Sequence, residues 1–399
     1  MKILKLSRVT LAAVLLLAGC KGFWNVSSSG GGCTSNCTTL SSGVFYVLNS
    51  NVGQVEIAGY SIVSGKLTPV TGSPYALPSG PYAIAIAPSG SFLYVSTQAG
   101  IFRYTIGSGG TLTPAGTTAF YPDFAAATMQ VDATNSWLVE ASGSGFIYAI
   151  PINSTDGSRS TTGTVQQLSL GVIPTIHQLA ISPDNKNIFV ALGPLGTAVI
   201  PFDANPATGS GPMPTVIGAP IAVKAAGGTA ISVAVDPINR LFFIGELLAT
   251  SGSSNTGGLR VFNYSSLSSG SAAEITGSPF ASGGLTPTSI LPIASGGYVY
   301  VANSTVSNST TGNVSGFLVS SSGTTNSVTP LSTTVSAGVN PTSLAEDSTG
   351  AAVLIVNSGG TPDLEAYTFD ATTPGKLDSA LTSSTGTDPV GASAIAALQ

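Results

Sequence analysis

The sequence contains one histidine, His177, and so one side chain with an unperturbed pKa near neutrality. Such an imidazole could act as a base at a ligand site, or sit hydrogen-bonded at the start of a strand. Glu140 and Glu246 close the apolar runs Leu138-Val139-Glu140 and Ile244-Gly245-Glu246, while Arg103 and Arg260 interrupt alternating apolar segments. Gathered at a loop-bearing rim, these four would make a polar binding site. Kept apart, they are isolated ions or pairs between neighbouring elements. The five residues are the catalytic or binding candidates, and no spacing motif ranks one above the rest.

Other chemistry is thin. Asp132, Asp236 and Asp347 share one recurring place after an apolar alternation, where Ala87 and Ser182 stand in other copies. A carboxylate accepting backbone N–H bonds in a turn accounts for that recurrence. The Gly-rich stretches 107–110 and 251–258 lack the Lys-Ser/Thr pair and the following helix of a phosphate loop. Asp203-Ala204-Asn205 offers too few carboxylates for a calcium loop. No metal and no cofactor is expected.

The elements that must position these residues follow from composition. Of 399 residues, 43% are hydrophobic and only 7% charged, against roughly 25% in ordinary soluble domains. A nucleic-acid binder, a coiled coil and a polyelectrolyte disordered chain are excluded on that ground. Without Lys2, Lys5 and Arg8, nine basic residues face 17 acidic ones, a net charge near −8 that repels phosphate backbones. The 49 glycines and the dense Ser/Thr content point to many short strands joined by turns.

Lys2, Lys5 and Arg8 precede an apolar run over 9–18, too short to anchor as a membrane-spanning helix, and this reads as an export signal over 1–19. Leu17-Ala18-Gly19-Cys20 resembles the bacterial lipobox, which makes Cys20 the acylated thiol and a lipid anchor the expected membrane partner. Lys21 in the next position resembles outer-membrane sorting. Residues 20–42 form a Gly/Ser-rich tether. Within it Cys33 and Cys37 are spaced for a small local disulfide in an oxidising envelope, with no His or further Cys nearby to suggest a metal.

From 43 to 399 the chain repeats itself. One phrase, Pro81-Tyr82-Ala83-Ile84-Ala85-Ile86-Ala87-Pro88, recurs from residues 127, 176, 230, 287, 341 and 389. A second follows a short turn later, as in Phe92-Leu93-Tyr94-Val95 and Tyr298-Val299-Tyr300-Val301. A third alternates apolar residues, and a fourth, weaker phrase includes 67–69, 112–114, 165–170, 216–221, 274–280, 328–331 and 377–381. Each has the period-2 pattern and β-branched enrichment of a strand. Seven copies at a spacing of 44 to 57 residues predict an all-β, seven-bladed propeller with four-stranded antiparallel blades. The first copy lacks its opening phrase, which stands instead at 392–398. The C-terminal strand is therefore expected to join the N-terminal blade and close the ring, removing both free edges.

Pro81-Tyr82-Ala83-Ile84-Ala85-Ile86-Ala87-Pro88-Ser89-Gly90-Ser91-Phe92-Leu93-Tyr94-Val95 and the Gly-x-Leu-Thr-Pro elements at 65–69 and 110–114 resemble the repeats of the lactonase/YVTN-type propellers, which include 6-phosphogluconolactonase-like proteins. The resemblance spans about 43–399. It implies a central channel with ligand sites at one mouth, where enzymes of the family gather His, Arg and acidic residues. Here the positions equivalent to Tyr82 are Ala127, His177, Ile231, Thr288 and Thr342, none permanently charged. Lactone hydrolysis needs a metal or a base to activate water, and donors for the oxyanion. The leading expectation is thus an envelope binding or scaffolding module for a glycan, small-molecule or protein ligand. The alternative is a lactonase-like hydrolase acting on a sugar lactone.

Overall fold

The computed structural model describes residues 43–398 apart from 52–53, 64–65, 123–125, 208, 239–240, 251–255, 264–271, 323–324 and 381–390. The export signal, Cys20, the tether and Cys33 and Cys37 lie outside the described residues, as does most of the 251–258 stretch.

Seven antiparallel sheets succeed one another along the chain as seven blades. The innermost strands are Ala392–Ala397 in blade 1, Pro81–Ile86 in blade 2 and Ala126–Val131 in blade 3. Gln178–Ile181, Thr229–Val235, Pro287–Pro292 and Pro341–Glu346 follow in blades 4 to 7. Each packs against the innermost strands of the blades on either side, and the strand at 392–397 contacts both the blade 7 and the blade 2 inner strands, so the circle is complete. The closing strand pairs with Phe45–Asn51 in the register Phe45↔Ala397, Tyr46↔Ala396, Val47↔Ile395 and Leu48↔Ala394. Both edges that an open array would expose are paired, as the sequence predicts.

The hydrophobic core is distributed between blades rather than gathered at one centre. Val139, Ile147 and Leu168 of blade 3 pack with Ile188, Val190 and Ile200 of blade 4, and equivalent seams join the other neighbours. Second strands are buried along their whole length, as in Phe92–Thr97 and Ala352–Asn357, because both faces are covered by adjoining blades. No blade can bury its faces alone, so stability belongs to the ring.

Two outer strands differ from the sequence expectation. Residues 216–221 do not form a strand, so blade 4 is a three-stranded sheet in which Ile221 makes a single bridge to Thr197. Pro220 within the segment and Pro214 just before it lack the N–H donors that a ladder needs. In blade 5 the expected strand over 274–280 splits into Ala273–Glu274 and Phe280–Ala281, interrupted by Gly277-Ser278-Pro279.

At the lower end, where each inner strand turns into the second strand, the same bonds recur. Asp132 Oδ1 accepts from the N–H groups of Ser136 (2.7 Å) and Trp137 (2.6 Å), and Asp347 Oδ1 from those of Ala351 (2.8 Å) and Ala352 (2.6 Å). Asp236 accepts from Ile238 N–H at 2.7 Å, and the Ser182 hydroxyl takes the same role toward Asn187 N–H at 2.9 Å. Tyr46, Tyr94 and Tyr300, equivalent residues of three second strands, donate to the carbonyls of Gly110, Gly157 and Gly375 in the next blade at 2.6, 2.7 and 2.6 Å. Burial pushes these phenols far above the ordinary tyrosine range, so they remain donors.

Candidate functional site

The upper end of the channel is built by one backbone irregularity used repeatedly. In six blades the inner strand slips register by one residue against the second strand, for example between Pro81↔Thr97 and Ala83↔Ser96. The extra residue in each bulge is Tyr82, Ala127, Ile231, Thr288, Thr342 or Ser393. In blade 4 the equivalent residue is His177, just ahead of Gln178↔Ala191, with its N–H bonded to Ala191 O at 3.1 Å. A bulge swings its extra side chain out of the pleat. Seven equivalent positions therefore ring the upper mouth, carrying one phenol, one imidazole, three hydroxyls and two apolar groups.

The inner strands have free edges facing the channel, and uncharged side chains of the neighbouring blade satisfy them. Thr128 Oγ1 accepts from Leu179 N–H at 3.1 Å, Gln130 Oε1 from Ile181 N–H at 2.9 Å, and Ser289 Oγ from Leu344 N–H at 3.1 Å. Thr288 Oγ1 donates to Pro341 O at 2.7 Å and Thr342 Oγ1 to Ser393 O at 3.0 Å. A dipolar edge needs dipolar partners, and this explains why the channel wall is hydroxyl-rich and nearly free of charge. Besides the Tyr82 phenol, His177 and, at the lower end, Glu346 are its ionisable groups among the described residues.

His177 stands at the upper mouth beside the turn 192–196. Gly193 takes a left-handed backbone (φ +62°) that favours glycine, and a Cβ there would lie 3.3 Å from Thr175 O and 3.7 Å from His177 Nε2. Surrounding protein lowers the imidazole pKa below its ordinary value by desolvation, although the side chain stays accessible to water. The neutral form is thereby favoured at neutral pH.

The charged candidates do not form one site. Glu246 and Arg260 meet in blade 5, Oε1 to Nη1 at 2.7 Å, with both side chains buried. Arg260 also reaches Glu274 through Nε (3.1 Å) and Nη2 (3.2 Å), donates to Ala222 O at 2.8 Å, and lies 4.8 Å from the centre of the Phe262 ring. Lys224 completes the network, bonding Glu274 through Nζ at 2.9 Å and Glu246 through its backbone N–H at 2.9 Å. Burial alone would lower the Arg260 pKa, but the bonds to Glu274 and Glu246 outweigh it and hold it above the ordinary arginine value. Burial likewise pushes Glu274 up, while bonds from Arg260, Lys224 and Ser278 outweigh it and hold the carboxyl below its usual range. Lys224 and Glu274 were not among the sequence candidates. Glu274 lies 14 residues from Arg260, in the segment expected to pair with it, and that was the only signal available.

Arg103 lies in blade 2, bonded to the Asp156 carbonyl of a blade 3 turn and 6.0 Å from the centre of the Phe92 ring. Glu140 is fully buried within the second strand of blade 3. The structure thus brings Glu246 to Arg260 and leaves Arg103, Glu140 and His177 in other blades. Among the described residues no group of three or more His, Cys, Asp and Glu side chains is arranged to hold a metal.

Solved structures of this architecture are numerous. A Bacteroides uniformis protein described as a candidate 6-phosphogluconolactonase is 16% identical, aligned over 89% of this chain and 99% of its own, with a TM-score of 0.67. The periplasmic gluconolactonase of Pseudomonas aeruginosa is 16% identical over 90% and 100% of the two chains, with a TM-score of 0.66. A functionally unknown protein from Desulfotomaculum acetoxidans is 13% identical over 90% and 100%, with a TM-score of 0.61. No protein-family model and no curated protein matches the sequence. At these identities the likeness is one of fold, and the fold is that of the lactonase-type seven-bladed propellers.

Proposed function

We propose that the protein is a lactonase-like hydrolase acting on an uncharged, unphosphorylated lactone at the upper mouth of the channel. The carrying observation is the accessible imidazole of His177, held toward its neutral form at a mouth whose other bulge positions carry three hydroxyls, one phenol and two apolar groups. Neutral His177 takes a proton from water as the water oxygen bonds to the lactone carbonyl carbon. The ring C–O bond then breaks, its oxygen receives that proton, and a hydroxy acid leaves. A wall with so little charge suits a neutral ring better than a phosphorylated one. The fold shared with the Pseudomonas aeruginosa periplasmic gluconolactonase supports a sugar lactone and a periplasmic location.

Turnover of δ-gluconolactone and related lactones by the full-length protein, lost in His177→Gln with the folded body intact, is the expected result. Unchanged turnover in that variant overturns the assignment of His177. A second reading, ligand binding without turnover, is favoured by the occupation of Glu246, Arg260 and Arg103 in structural bonds, so that among the described residues none of these candidate cations is free to meet an oxyanion at the mouth. It predicts saturable binding of a glycan, lactone or protein ligand with no hydrolysis.

Export and anchoring complete the proposal. The lipobox-like Leu17-Ala18-Gly19-Cys20 supports acylation of Cys20, and Lys21 supports delivery to the outer membrane. Incorporation of labelled palmitate, abolished by Cys20→Ser with release of the protein from membranes, is the expected outcome.

A further inference from the structure

Half of the large apolar side chains left exposed among the described residues lie at the upper end of blades 2 to 4. Ile173 is 80% exposed, Val172 51%, Leu195 45% and Tyr82 45%. Val172 and Ile173 occupy the connection that leads into His177, and Leu195 tips the turn whose Gly193 borders the imidazole. Tyr82 holds the bulge position equivalent to His177 two blades away, and Ala127, a small residue, stands between them. The fold does not require this exposure. Neighbouring Ile176 and Leu192 of the same two segments are turned into the blade 3–blade 4 core. Exposed apolar groups clustered beside polar chemistry mark a ligand contact more often than solitary ones do.

We propose that the rim formed by Val172, Ile173 and Leu195 beside His177 selects a lactone bearing an alkyl chain, with the ring at His177 and the chain laid over these side chains. The proposal rests on the lactonase reading for the ring and adds the class of its substituent. A hydroxylated substituent in that place would leave its hydroxyls against three apolar side chains that offer no partner, whereas an alkyl chain removes that surface from water.

The test uses the full-length protein with two probes that share one reacting ring, δ-valerolactone and its pentyl-substituted relative δ-decalactone. We expect kcat/KM for δ-decalactone to exceed that for δ-valerolactone at least tenfold, through KM. In the double variant Ile173→Ser/Leu195→Ser the preference should fall to within about twofold, with the thermal midpoint unchanged. Equal kcat/KM for the two probes, or a preference that survives the double substitution, overturns the proposal. Absence of turnover on every lactone, δ-gluconolactone included, counts against the lactonase reading instead. Calorimetric titration with the same two lactones then decides the rim. Tighter binding of δ-decalactone that the double variant loses upholds it, and equal binding rejects it.

Discussion

The two ends of the ring are built from the same seven repeats but use them differently. At the lower end, equivalent places carry equivalent chemistry: Asp132 and Asp347 accept the same pair of backbone N–H groups, and Tyr46, Tyr94 and Tyr300 make one interblade bond three times. At the upper end, the main shared feature is the backbone bulge, present in six blades, and the residue at its place is a tyrosine, an alanine, a histidine, an isoleucine, one of two threonines or a serine. Repetition of side chains marks what every blade needs to stand. Divergence on a repeated backbone marks what only one place in the ring needs. Substitutions at the seams and the lower end should therefore act on stability, and those at the upper rim on function.

The largest effect is expected where the ring closes. Removing residues 390–399 strips Phe45–Asn51 of its inner partner and reopens two edges, so the whole body should lose its cooperative thermal transition by circular dichroism. Ile395→Ala, at a buried site packed with Val47 and Leu354, should cost about 2–5 kcal/mol in denaturant unfolding. A deletion that unfolds with the wild-type midpoint would show that the blades stand independently. Next comes the blade 5 network. Glu246→Ala leaves the Arg260 guanidinium with one buried partner fewer, and about 3–5 kcal/mol should be lost. If Glu246→Ala were neutral for stability and changed only activity, this network would belong with the functional rim and the division between the two ends would fail.

How much of this was legible follows the same division. Blade number, inner-strand positions and ring closure could be read because each phrase is repeated seven times in an apolar alternation. The turn role of Asp132, Asp236 and Asp347 was readable for the same reason. What occurs once was not. The alternation at 216–221 looked like a strand because Val216, Ile217 and Ile221 are apolar, yet Pro214 and Pro220 lack the donors that a ladder needs. Glu246 and Arg260 were both visible as candidates, but nothing in their 14-residue separation marked Glu274 and Lys224 as their partners. The bulges left no trace in composition, because a bulge tolerates many residue types. Tyr46, Tyr94 and Tyr300 stand in apolar strand phrases, and only the distance to a neighbouring glycine carbonyl reveals the bond.

A smaller effect should follow loss of one lower-end bond. Tyr94→Phe keeps the buried ring but strands the Gly157 carbonyl, and about 1–2 kcal/mol of stability should disappear, read as a shift in denaturant midpoint at unchanged slope. Asp347→Ala, which strands several N–H groups together, should exceed it, and the reverse order would mean that the turn is solvated rather than braced.

The smallest effect on stability is expected at His177, where the functional effect should be greatest. His177→Gln removes no core contact and should move the unfolding free energy by no more than about 0.5 kcal/mol. Its pKa is depressed in the folded protein, so the neutral imidazole is the form the fold favours. That contribution is complete above the ordinary histidine value of about 6.5 and fades as the pH falls through the lower, folded value. Lactone turnover should follow the same direction, with an acid limb centred below pH about 6.5. An acid limb centred above that value would mean that a nearby negative charge stabilises the imidazolium. The mouth would then hold a carboxylate near His177, and the contrast between a charge-poor channel and a charged blade 5 network would no longer hold.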